Sequence, residues 1–278
     1  MLRLRVLTAL VGIPLMLVAI FAPGGSLFGL SLSVLALIGS IEFARAYRAA
    51  PLQPPVQPNP LLLLAGACLP LVTWWLPDLA LTHLLLPILA GALLYELGHA
   101  WHGRVVSIAH NIGYGIFGMF YIGWLFSFGA QLRGDYTPAT LGAWQVERGA
   151  LVVFWLFAML WAGDTAAYFV GKSIGKRKIA TVLSPAKTLE GSIANLILCL
   201  LVGSIGGVML GYTPAWAAAA GLGVGVLGQL GDLFESALKR AAGVKDFGWI
   251  LPGHGGVLDR FDSFLFSAPW LWWWHQFA

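Results

Sequence analysis

Apolar residues fill this chain in runs about as long as a bilayer is thick; a crossing helix needs about 20 predominantly apolar residues. Nine such runs can be placed, near 4–22, 26–44, 60–77, 79–97, 105–129, 149–170, 191–211, 214–235 and 261–278. Short polar breaks separate them. Pro51, Pro54, Pro55, Pro58 and Pro60 make 51–60 an extended linker rather than a helix. The break at 130–148 has mixed charge and reads as a short outer loop. The first run follows Arg3 and Arg5 and has the outline of a signal peptide. No small-x-small cleavage site follows it, and Pro23-Gly24-Gly25-Ser26 reads as a tight turn, so an uncleaved first span is expected.

Composition agrees with this pattern. The chain has 278 residues, 59% hydrophobic and only 10% charged, against roughly 25% charged in an ordinary soluble domain. So few charges could not cover a soluble surface of this size, and disorder needs the opposite bias. The expected fold is all-α: a polytopic integral membrane protein of about nine transmembrane helices, its N-terminus cytoplasmic. With that topology the cytoplasmic segments hold 14 of the 16 Lys and Arg, leaving only Arg133 and Arg148 outside. Cys68 and Cys199 sit in apolar runs without metal-ligand spacing and read as small buried hydrophobes.

Two polar stretches stand out, and both fall on the expected cytoplasmic side. The first runs from Asp164 through Lys172, Lys176, Arg177 and Lys178 to Ser184-Pro-Ala-Lys187-Thr188-Leu-Glu190-Gly191. Asp164 is a carboxylate inside an apolar run, which marks a polar interior. The second spans 232–262. Asp232, Glu235, Ser236 and Lys239 are spaced i, i+3, i+4, i+7 and share a helix face. Asp259 and Asp262 share another at the start of the last span. Carboxylates gathered in a half-buried place repel one another unless cations sit among them. Oxygen ligands on few protein arms, with room for phosphate oxygens, suit Mg²⁺. Arg240, Lys245, Arg260 and the glycines around His254 suit a polyanionic substrate. Gly171-Lys172-Ser173 is no phosphate loop, because the motif's earlier glycine is Ala166. Glu96 and His99 have Glu-x-x-His spacing but no matching ligands, and read as a solvated interfacial turn.

The pattern Ser236-Ala-Leu-Lys239-Arg240, then Lys245-Asp246, then Leu251-Pro-Gly-His254-Gly255-Gly256-Val-Leu-Asp259-Arg260-Phe-Asp262 closely resembles the signature of phosphatidate cytidylyltransferases, or CDP-diacylglycerol synthases. Ser184-Pro-Ala-Lys-Thr-Leu-Glu-Gly and Asp164-Thr-Ala-Ala-Tyr168 resemble that family's second region. The likeness covers roughly 150–278, with one departure: Ala186 stands where a Lys is common. It implies that phosphatidate and CTP give CDP-diacylglycerol and pyrophosphate. It further implies Mg²⁺ on Asp232 and Asp259, with Glu235, Asp262 and Asp246 holding a second cation or orienting ligands. Lys239, Arg240, Lys245, Arg260, Ser184, Lys187, Thr188, Ser236, His254, Gly255 and Gly256 are expected around the phosphates, and Asp164 as a polar wall. The corresponding division is a scaffold at 1–104 and a catalytic region at 105–278. The expected partners are CTP and membrane phosphatidate, not nucleic acid, and the glycine-rich spans allow a homodimer. An inner (plasma) membrane setting with a cytoplasmic site follows. The competing readings are a CTP-dependent transferase on another lipid (a CDP-archaeol synthase or an isoprenoid-alcohol kinase) and a cation-coupled transporter.

Overall fold

A computed structural model describes residues 2–77, 81–102, 107–250 and 255–277. The described residues form nine long helices. They are α1 (Leu2–Phe21), α2 (Ser26–Ala49), α3 (Pro60–Trp75), α4 (Leu81–Trp101), α5 (Ile108–Arg133), α6 (Arg148–Ser173), α7 (Leu189–Met209), α8 (Pro214–Ala241) and α9 (Leu258–His275). These nine correspond to the nine apolar runs. Six of them, α2 and α4 to α8, are long and apolar enough to cross a membrane by length and composition. The chain is an all-α polytopic membrane protein.

The 130–148 break differs from expectation. Helix α5 continues to Arg133, and β1 (Pro138–Leu141) pairs antiparallel with β2 (Trp144–Glu147) around Gly142, whose φ is +62°. A two-residue turn with a glycine at positive φ favours a hairpin over an irregular loop.

The helices belong to two compact units that interleave along the chain. One comprises 1–13, 26–131 and 239–260. Its core lies between α3, α4 and α5, where Leu62, Leu69, Ala92 and Met119 are buried together. Helix α3 starts where it does because the Asn59 carboxamide accepts from Leu61 N–H and Leu62 N–H, with Pro60 in the first turn. The other end of Asn59 donates to Glu96 Oε1 at 2.9 Å, and Asn111 donates to Glu96 Oε2 at 3.3 Å. Glu96 is therefore not solvated, as its spacing with His99 suggested; it is buried, and amide donors satisfy both of its oxygens.

The second unit comprises 14–25, 132–238 and 261–278. Helices α7 and α8 touch backbone to backbone at Gly203 and Gly221, where a Cβ on Gly203 would come within 2.5 Å of the Gly221 Cα. Arg133 is almost wholly buried here. It donates to Ile20 O and Ala22 O, both at 2.7 Å, and pairs with Glu147 at 2.5 Å. A guanidinium suits this place because it can satisfy the last carbonyls of α1 and a carboxylate together.

Candidate active site

In the second unit, the ends of α6, α7 and α8 and the start of α9 enclose a cavity of about 500 Å³. Its lining includes Asp164 and Tyr168 from α6, Asn195 from α7, Gln229 and Asp232 from α8, and Ser263 from α9. Lys172, Lys178 and Lys187 stand around it, three cations against two aspartates.

The loop between α6 and α7 is tied down by its own backbone. Ile179 N–H donates to Lys187 O and Leu189 N–H to Arg177 O, while the Glu190 carboxylate accepts from Lys176 N–H and Arg177 N–H. Thr188 then caps α7, its hydroxyl accepting from Gly191 N–H at 3.2 Å. This folding aims Lys187 inward, where its ammonium lies 2.7 Å from Asp232 Oδ2. Asp232 is still 38% exposed, so the pair is open to a ligand. Behind it runs an amide chain: Gln229 donates to Asn195 Oδ1 at 3.2 Å, and Asn195 donates to Asp164 Oδ1 at 3.4 Å. Asp164 thus has an amide donor on α7, while its side chain is exposed. Neither Asn195 nor Gln229 was among the residues expected from the sequence. Their signal was there, since each is a lone amide in an otherwise apolar span.

Residues 239–260 of the signature stretch lie in the first unit. Asp259 sits in the first turn of α9, where an acidic side chain favours the helix dipole. Lys239 donates to its Oδ1 at 2.8 Å; Phe247 N–H and Gly256 N–H both donate to its Oδ2 at 2.9 Å. Burial alone would raise this carboxyl's pKa. The lysine and the two amides outweigh burial and hold it below the usual carboxylate range. Gly255 makes the approach possible with a φ of +84°, a left-handed conformation that costs glycine little.

Asp164, Lys187, Thr188 and Asp232 therefore meet in one cavity, and Lys239, Gly256 and Asp259 in one ion-paired cluster. Glu235 and Ser236 are buried within α8, Ser184 is in a turn, and Asp262 accepts from Ser263 N–H. Arg240, Lys245, Asp246 and Arg260 are exposed. His254 lies outside the described residues. Among the described residues no three acidic, imidazole or thiol side chains converge on one point. That still fits Mg²⁺, which keeps several waters and is commonly held by one or two carboxylates plus substrate phosphates. An ammonium already lies against each of Asp232 and Asp259, at 2.7 and 2.8 Å, so both are places where a cation is stable.

Apolar helices with a cavity lined by lysines and aspartates at their ends define a polytopic membrane protein with a charged helix-end cavity. The profile of the cytidylyltransferase family matches residues 3–278, and the chain belongs to that family. A phosphatidate cytidylyltransferase of Synechocystis is 34% identical over 284 residues, covering 95% of this chain and 93% of the relative. One of Bacillus subtilis is 47% identical over 127 residues, 45% of this chain and 47% of the relative. An uncharacterized Escherichia coli protein, YnbB, is 38% identical over 184 residues, 65% of this chain and 59% of the relative.

Proposed function

We propose that the chain transfers the cytidylyl group of CTP to phosphatidate, making CDP-diacylglycerol and pyrophosphate. The observation that carries this is the family match along 3–278, together with relatives named for that reaction. A phosphate oxygen of phosphatidate attacks the α-phosphorus of CTP. The new O–P bond forms as the bond to the β-phosphate oxygen breaks, and pyrophosphate leaves with the electron pair. The attacking group is already anionic, so no strong base is needed. The obstacle is repulsion between two polyanions.

The residues of this chain address that obstacle. Lys172, Lys178 and Lys187 line the cavity and offer ammonium groups to phosphate oxygens. Thr188 and Ser263 offer hydroxyl donors beside them. Asp232 would hold Mg²⁺ at the cavity, and Asp259 would hold Mg²⁺ within its own cluster on giving up Lys239. The ion, when bound, neutralises phosphate charge. Lys239, Arg240, Lys245 and Arg260, with the glycines at 255 and 256, bind nucleotide or lipid phosphates. Glu235 and Asp262 serve a second cation or orient ligands. The protein works in the bacterial inner membrane with its site on the cytoplasmic face and its N-terminus on the same side, and it assembles as a homodimer.

The test is product identity. Purified protein given CTP labelled in the base and phosphatidate vesicles should move the label into the lipid phase. Label that stays in the aqueous phase contradicts the proposal, and phosphorylated lipid without cytidine contradicts cytidylyl transfer.

A further inference from the structure

Helix α2 carries a carboxylate that the transfer chemistry above does not use. Glu42 is 4% exposed on a helix apolar enough to cross a membrane, a costly place for an ionisable group. Both of its oxygens are engaged by the start of α9. Val257 N–H donates to Oε1 at 3.0 Å and Leu258 N–H to Oε2 at 3.1 Å, two of the helix's unsatisfied N-terminal donors. The backbone folds closely around the carboxylate: a Cβ added at Gly248 or Gly256 would overlap it. The next residue on α2, Phe43, packs on Phe247 with ring centroids 6.4 Å apart. Phe247 N–H and Gly256 N–H are the two amides that hold Asp259 Oδ2. One turn of α2 therefore grips the described glycine-rich stretch at 247–248 and 256–258, and that stretch in turn holds Asp259 against Lys239.

We propose that Glu42 is a positioning residue for the transfer reaction. It acts through the backbone of the signature stretch and sets the orientation of Asp259. An acceptor-only group suits the place, because both of its oxygens accept from backbone N–H donors. The inference rests on the reading that the 239–262 stretch takes part in transfer.

Two measurements test it on purified full-length protein in detergent. The first is amide exchange by mass spectrometry over peptides covering 255–260. Glu42→Gln puts an amide NH₂ against N–H donors, so exchange there should quicken at least about tenfold, while α3 and α5 keep wild-type rates. The second is a double-mutant cycle with Asp259→Asn. Glu42→Gln should lower kcat by at least about tenfold, and the double variant should be no slower than Asp259→Asn alone. Unchanged exchange at 255–260, wild-type turnover, or losses that multiply would each overturn the proposal. Glu42→Asp keeps the charge with a shorter arm and serves where the Gln variant does not fold. It should quicken exchange by a smaller factor, and wild-type exchange in it counts against the proposal. If Asp259→Asn itself turns over normally, the transfer-site reading fails, while the exchange result still decides whether Glu42 holds the stretch.

Discussion

Lys187 places its ammonium 2.7 Å from the Asp232 carboxylate, joining the loop before α7 to helix α8 where both residues line the cavity. The pair closes a contact that is 45 residues long in sequence, and it leaves Asp232 partly open.

Asp232→Asn and Lys187→Met should each lower turnover by about 10²-fold or more, the scale of losing one electrostatic contact to a phosphoryl centre. Thermal midpoints in detergent should move little, because a pair open to solvent adds little stability. Steady-state kinetics and melting curves on the same preparations check this. Near-normal kcat in Asp232→Asn would remove it from the site.

Asp259 gives a pH dependence of stability. Its pKa is held below the usual value, despite burial, by Lys239 and two backbone amides. A depressed carboxyl contributes stability that is fully present above its unfolded value, about 3.9. That stability disappears as pH falls through the lower folded value. The gap in thermal midpoint between wild type and Asp259→Asn should be constant down to about pH 5 and narrow only below about pH 4. A gap that closes near neutral pH would contradict the assignment.

Arg133→Met should be among the most destabilising single changes. It strands the Ile20 and Ala22 carbonyls and removes the charged partner of Glu147, which keeps a donor in Gly24 N–H. Glu147 is 27% exposed, so the cost is below that of breaking a fully buried pair, on the order of 2–3 kcal/mol. A drop in thermal midpoint with unchanged KM for CTP is expected, and a melting curve like that of wild type would refute it.

Gly203→Val tests the α7–α8 contact. Even a Cβ would come within 2.5 Å of the Gly221 backbone, and overpacking typically costs about 1–3 kcal/mol. The variant should melt earlier and lose activity in proportion to its unfolded fraction.

The helices were legible because burial in lipid demands long apolar runs, and each of the nine runs became a helix. Asp164, Lys187 and Asp232 were legible because charge is scarce in such a chain and conspicuous where it occurs. Glu42 was not, although it met the same criterion as Asp164, a lone carboxylate in a span. Its partners, Val257 and Leu258, lie more than two hundred residues away and contribute only backbone N–H groups, which leave no mark in a sequence. Asn195 and Gln229 escaped because amides carry no charge to betray them. Arg133 was counted as an outer-loop cation, and its burial depends on α1 ending within reach of its guanidinium.

Pyrophosphate release from CTP tests the central claim most directly. It should be measured on the purified chain with and without phosphatidate, across a range of Mg²⁺ concentrations. Release is expected only when phosphatidate, CTP and Mg²⁺ are all present, in step with the CDP-diacylglycerol formed. Release that is indifferent to phosphatidate, or no release with all three present, would contradict the account.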